Sequence, residues 1–137
     1  MPAALDHLQF NVGKPATSLA FYKDMFSFLG YNIVADHGPP WEMVGVSDGH
    51  TTYYFYRTDE DKREHPYNRD GTGLNHIGLL VESKAEVDRF IEEFMKPRGM
   101  APEWGTPRVR EDYGGNYYQV MFADPEGLAI EVFYKDA

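Results

Sequence analysis

The chain opens with "LDHLQFNV", in which Leu8, Phe10 and Val12 alternate with His7, Gln9 and Asn11. Such alternation predicts a half-buried strand whose polar face carries His7 and Asn11. Pro15 suits the first turn of a helix, and Leu19, Tyr22, Met25, Phe26 and Leu29 then recur at three- and four-residue steps until Gly30. The pattern predicts a helix of about 14 residues. Three strand-like segments follow, "YNIVAD", "WEMVGVS" and "TTYYFYR", separated by "HGPP" and "DGH", which are turn compositions. The first unit therefore reads βαβββ.

A polar stretch, "TDEDKREHPYNRDGTG", reads as a solvated connector. The pattern then restarts. "LNHIGLLV" places Ile77, Leu79 and Val81 on one face and His76 on the other, and Ser83 with Glu86 forms a capping box ahead of a helical stripe of Val87, Phe90, Ile91, Phe94 and Met95. Pro97 and Gly99 end that helix. "TPRVRED", "YYQVMFAD" and "GLAIEVFY" supply three more strands, the last two joined by the tight "DPEG". The expected architecture is α+β: two βαβββ modules, residues 1–58 and 73–137, joined by a connector at 59–72 into one domain.

Composition narrows the function. Apolar residues make up 42% of the chain, and ten Tyr and nine Phe supply the bulk of a globular core. No apolar run approaches the roughly 18 residues needed to span a bilayer, and the opening residues lack a basic and an apolar signal region, so a cytoplasmic protein without membrane contact is expected. A net charge of −9 repels phosphate backbones and argues against a nucleic-acid partner. With no cysteine, a metal would need His, Asp, Glu, Tyr or backbone oxygen.

The repeat makes His7 and His76 equivalent positions. A lone histidine on a half-buried strand is usually structural, but a repeated one asks for a shared purpose. Aligning "GHTTYYFYR" with "GLAIEVFYK" pairs Tyr53 with Glu131. If the modules join in pseudo-twofold fashion, His7, His76 and Glu131 converge on one cleft as a facial set for a divalent first-row metal with positions open to a bidentate substrate. The alternative for Glu131 is a salt bridge to Arg108 or Arg110, or exposure. His37, His50 and His65 sit in turn or connector contexts and read as exposed; Trp41 and Trp104 read as pocket walls or core.

At this point the chain resembles the vicinal oxygen chelate superfamily, which includes glyoxalase I, fosfomycin-resistance thiol transferases, methylmalonyl-CoA epimerase and extradiol dioxygenases. The likeness rests on "LDHLQFNVGKPATSLAFYKDMFSFLGY", "LNHIGLLVESKAEVDRFIEEF" and "YYQVMFADPEGLAIEVFY". It implies a glyoxalase-like open barrel around a shared cleft, metal ligands at His7, His76 and Glu131, and a fourth ligand position at Tyr53, where glyoxalase I members carry Glu. It further implies a divalent ion (Zn, Ni, Mn or Fe(II)), a small-molecule substrate, Glu131 and Tyr53 in catalysis, and a homodimer. Counting back in twos from Met121 adds Gln119 and Tyr117 to the metal-facing side, and Arg110 or Tyr113 stands ready to close over a bound anion or carbonyl.

The leading expectation is a lyase or isomerase in which the metal chelates adjacent substrate oxygens. An extradiol-dioxygenase-like Fe(II) enzyme is less favoured: Met121 stands where those enzymes carry Tyr, and "EDYGGNY" contains no histidine. Only Lys135 follows the last strand as a basic residue, which supports a phosphonate substrate poorly. A non-catalytic binder of the bleomycin-sequestering kind is the alternative from another class.

Overall fold

The computed structural model of the chain describes residues 2–63 and 67–136. The chain divides into two compact units, Met1–Pro66 and Tyr67–Ala137. In the first, β1 (His7–Val12), α1 (Pro15–Phe28), β2 (Asn32–His37), β3 (Met43–Ser47) and β4 (Thr52–Arg57) follow in order, and α1 spans the 14 residues its apolar spacing predicts. The second repeats the plan with β5 (His76–Leu80), α2 (Lys84–Arg89), β6 (Glu103–Val109), β7 (Tyr117–Ala123) and β8 (Ala129–Lys135). Each unit thus has the expected βαβββ order and builds an open four-stranded sheet, β1-β4-β3-β2 in one and β5-β8-β7-β6 in the other.

The first and last strands of each unit pair in parallel, and the other pairs are antiparallel. That arrangement follows from the helix, which carries the chain across one sheet face and so returns it parallel to its start. The covered face of the first sheet packs Phe55 against Tyr22, ring centroids 3.7 Å apart, and Tyr53 against Phe26 at 5.2 Å. In the second unit, Phe90 meets Phe122 at 5.3 Å, over a layer of buried Ile77, Leu79, Val120, Ile130 and Val132.

Local chemistry explains the boundaries. The Ser83 hydroxyl accepts from the Glu86 N–H at 3.2 Å, so the predicted cap starts α2. Beyond Arg89 the helix widens into a π-wound turn, Phe90–Met95, and tightens again at Lys96–Arg98 before Gly99 reverses the chain at φ 66°. The expected stripe of Phe90, Ile91, Phe94 and Met95 is buried.

The sixth strand departs from expectation. It begins at Glu103, and Glu111–Tyr113 forms a 3-10 turn where the sequence suggested more strand. Pro107 has no N–H to give, so the ladder breaks between Glu103 and Arg108. Thr106 fills the gap: its hydroxyl donates to the Glu103 carbonyl at 2.7 Å and accepts from the Met121 N–H at 2.8 Å. The connector is also less featureless than its composition suggests. Glu60–Lys62 forms a 3-10 turn, Arg63 donates to the Thr58 carbonyl at 2.7 Å, and the Tyr67 hydroxyl sits against the carbonyls of Leu74 and Asn75.

These contacts rank two substitutions in the second unit. Phe90→Ala should cost about 3–5 kcal/mol of stability, as a fully buried aromatic leaves a cavity. Ser83→Ala should cost about 1 kcal/mol, the value of a helix cap. Urea denaturation followed by far-UV circular dichroism measures both.

Candidate metal centre

Strand register decides which side chains share a face. In the second unit His76 pairs with Ala129 and Gly78 with Glu131 across the parallel ladder, while Met121 pairs with Glu131, Gln119 with Phe133 and Tyr117 with Lys135 across the antiparallel one. His76, Glu131, Met121, Gln119 and Tyr117 therefore lie on the same face, opposite the one α2 covers. This is the grouping that counting in twos along the seventh strand suggested.

Within it, the His76 ring is fixed at one end. Its Nδ1 lies 2.7 Å from the Asn75 Oδ1. The Asn75 amide is oriented by its own partners, since Nδ2 donates to the Arg69 carbonyl and Oδ1 accepts from Arg69 Nε, each at 3.3 Å. An acceptor thus faces Nδ1, so Nδ1 carries a hydrogen, and in that single tautomer Nε2 presents a lone pair. That lone pair faces the Glu131 Oε1 at 3.6 Å.

Glu131 is 5% exposed, which is costly for a carboxylate unless donors or a cation surround it. The Tyr117 hydroxyl lies 2.9 Å from both carboxylate oxygens and donates its single hydrogen between them. Burial first, and then the carboxylate beside it, raise the Tyr117 pKa well above that of a free phenol, so it remains a donor. Its ring stacks on Phe133 with centroids 4.8 Å apart. Gly78 leaves the space: a Cβ there would lie 3.2 Å from Glu131 Oε1 and 3.3 Å from the Phe133 ring.

Such an arrangement has the chemistry of a cation site. A lone pair and an anionic oxygen facing each other are favourable only with positive charge between them, either a proton or a metal ion. One imidazole and one carboxylate suit divalent zinc or its first-row neighbours, and the Asn75 contact supplies the hydrogen bond that a metal-ligating histidine usually makes through its other nitrogen. Within neither unit do three His, Asp or Glu side chains among the described residues gather into a metal-holding group. The second unit brings two donors together.

His7 belongs to the first unit and repeats the pattern of its counterpart. Its Nδ1 lies 2.8 Å from Asp6 Oδ2, which leaves Nε2 free on an exposed ring. His7, Gln9 and Asn11 pair with Thr52, Tyr54 and Tyr56 and share their face. This register corrects the expected equivalence of Tyr53 with Glu131. Tyr53 pairs with Leu8 and points to the helix side, between Phe10, Phe26 and Tyr31, where burial raises its pKa. The true counterpart of Glu131 is Tyr54, two positions beyond the His7 partner as Glu131 is two beyond the His76 partner. Its ring stands edge-on to His7 at 5.9 Å, and Gly45 makes room for it, since a Cβ there would lie 2.9 Å from the Tyr54 ring. The sequence alignment slipped by one residue, which in a strand exchanges the two faces.

Arg110 also departs from its expected role. Its Nε donates to Asp112 Oδ1 at 2.8 Å, Nη2 ion-pairs with the other oxygen of Asp112, and Nη1 donates to Gln119 Oε1 at 3.1 Å. The guanidinium lies 4.1 Å over the Tyr113 ring. It is built into the sheet edge and is not a free clamp for an anion.

Neither tryptophan is core. Trp41 is 67% exposed and lies over Arg57, whose Nε approaches Glu42 Oε2 at 3.3 Å. Trp41, Tyr56, Met43, Pro40 and His37 line a cavity of about 380 Å³ in the first unit. Trp104 lies over Arg69 in the second. His37 and His50 are exposed as expected, and His65 falls outside the described residues. The sequence reading missed Asp6, Asn75, Gly78 and Tyr54; the polar residue ahead of each repeated histidine was the available signal for the first two.

Comparison with known proteins agrees with this architecture. A curated relative, the uncharacterized protein YqjT of Bacillus subtilis, is 26% identical over 132 residues, covering 93% of this chain and 96% of its own. A candidate glyoxalase from Bacillus halodurans superposes with a TM-score of 0.83 at 26% identity, covering 95% of this chain and 94% of that one. A lactoylglutathione lyase from Agrobacterium tumefaciens, at 23% identity, shares the fold with a TM-score of 0.67 and coverage of 97% and 94%. The family model for the Glyoxalase/Bleomycin resistance protein/Dioxygenase superfamily matches residues 4–132, nearly the whole chain, and the protein belongs to that superfamily.

Proposed function

We propose that this chain is a metal-dependent enzyme of glyoxalase-like type, a lyase or isomerase, in which His7, His76 and Glu131 hold one divalent ion and a small substrate presents two adjacent oxygens to it. The observation that carries this reading is the confrontation of His76 Nε2 with the buried Glu131 Oε1 at 3.6 Å, with Nδ1 already committed to Asn75. The ion, when bound, acts as a Lewis acid that polarises the substrate carbonyl. The protein supplies the rest. Glu131 takes and returns the proton at a carboxylate oxygen, and Tyr117 holds that carboxylate in place while keeping its own hydrogen. Asn75 keeps the lone pair of His76 aimed at the site.

One feature favours a second reading, a non-catalytic small-molecule binder. The open face of β4 offers Thr52, Tyr54 and Tyr56 and no carboxylate, and an aromatic cavity lies beside it. Metal stoichiometry separates the two readings, because a binder of that kind needs no ion.

Calorimetric titration with Zn should give about one ion per chain. Asn75→Ala should weaken Zn binding about 10–100-fold through the loss of the outer hydrogen bond. His76→Ala should abolish it with an unchanged far-UV spectrum; a parent protein that takes up no Zn, Ni, Mn or Fe(II) overturns the enzymatic reading.

Tyr117→Phe should cost about 1–3 kcal/mol in the metal-free protein, because it strips a buried carboxylate of its donor, and less in the Zn-loaded form, where the ion compensates the charge. Thermal denaturation with and without Zn reads the difference. Leu8 and Leu80, exposed on the edge strands β1 and β5, support the homodimer implied by the family, so light scattering should return twice the 15.7 kDa chain mass.

A further inference from the structure

Gln119 is 1% exposed and lies on the face that carries His76, Gly78 and Glu131. A carboxamide held so closely has its oxygen and its N–H groups set by different neighbours. The oxygen is settled: Arg110 Nη1 donates to Oε1 at 3.1 Å, and since a guanidinium has no acceptor, the flipped amide would set donor against donor. Arg110 is itself immobilised by Asp112, by the Tyr113 ring, and by its own N–H, which donates to the Tyr117 carbonyl at 2.7 Å. The polarity of Gln119 is therefore locked. No acceptor among the described residues takes its Nε2 hydrogens, and Nε2 is not among the sealed atoms left without a partner, so this end of the amide opens from the sheet face.

We propose that Gln119 is a substrate-binding residue whose locked Nε2 group donates to a carbonyl-type oxygen of a small planar ligand, with Arg110 as the positioning residue behind it. The proposal rests on the metal-site reading for placing the ligand beside His76 and Glu131. The surroundings fit that class of ligand. Tyr117 and Phe133 stack as a flat apolar wall, and buried Met121 extends it. Arg108, the register partner of Gln119 on β6, adds positive charge at an exposed position of the same face, which suits an oxygen that gathers negative charge as the substrate enolises. The charge of Arg110, by contrast, is already spent on Asp112. The site thus selects an acceptor oxygen and disfavours a ligand that offers an N–H at this point.

Acetohydroxamate, a small planar chelator with one carbonyl, is the probe. The Gln119 side-chain amide should shift in nitrogen–proton correlation spectra when it is added to Zn-loaded or metal-free protein. In the Zn-loaded form Gln119→Leu should weaken its binding about tenfold, the worth of one hydrogen bond, at unchanged Zn affinity. Gln119→Glu, which still accepts from Arg110 but offers no donor, should not restore it. Arg110→Gln should give a smaller loss, and the double variant Arg110→Gln with Gln119→Leu should bind no worse than Gln119→Leu alone. Parent-like binding by Gln119→Leu or Gln119→Glu overturns the proposal, as does an unmoved Gln119 amide. A parent protein that takes up no Zn defeats the metal reading separately, and the amide shift in the metal-free protein then decides for or against Gln119 alone.

Discussion

The parallel pairing of the first and last strands within each unit is the constraint on which the rest depends. It arises because a helix separates those strands in sequence and lies across only one face of the sheet they share. Once that helix has claimed Phe10, Tyr53 and Phe55 on one side, the residues that alternate with them are left on the other. In the second unit the same logic sends Ile77, Leu79, Ile130 and Val132 inward and exposes His76 and Glu131 to each other. The donor pair is a by-product of core formation: the apolar residues fix the register, and the register aligns His76 with Glu131. No polar interaction needs to supply the folding energy, which the buried aromatic layers provide.

That division of labour also explains how a carboxylate can be 5% exposed without wrecking the sheet. Its cost is met locally by the Tyr117 hydroxyl, and Gly78 gives the head group somewhere to sit. Asn75 and Gln119 show one device used twice. In each, an arginine donates to the amide oxygen, which fixes the direction of a group that could otherwise turn over. Arg69 and Arg110 are in turn laid over the Trp104 and Tyr113 rings. Directional chemistry on the open face is thus anchored to stacked cations at its margin.

Much of this was legible in the sequence, and the exceptions have physical causes. The helices could be read because Tyr22, Met25 and Phe26, or Phe90, Ile91 and Phe94, recur with helical spacing, and the Ser83 cap is written in two residues. The approach of His76 to Glu131 could be read because alternation along β5 and β8 puts both on the face away from the helix. Tyr53 could not be placed correctly, since "TYYFY" alternates nothing: its four consecutive aromatic residues look alike on both faces, and only the pairing of Leu8 with Tyr53 distinguishes them. Arg110 was visible as a cation, but its commitment to Asp112 depends on a turn at Glu111–Tyr113 that has the composition of a strand end. The sixth strand was misjudged because a threonine hydroxyl can stand in for a missing amide.

The two open faces are unequally burdened. In the second unit His76, Glu131, Tyr117, Gln119, Arg110 and Asn75 are tied to one another or to a neighbouring strand, so replacing any of them disturbs several partners at once. On the first, Asn11 and Gln9 are exposed residues, and His7 leans only on its neighbour Asp6 and the edge of Tyr54. A duplicated scaffold with this imbalance has a conservative half and an experimental half. Tyr54, Tyr56 or Trp41 can be changed at little thermodynamic risk, while the bonded network of the second unit is left intact.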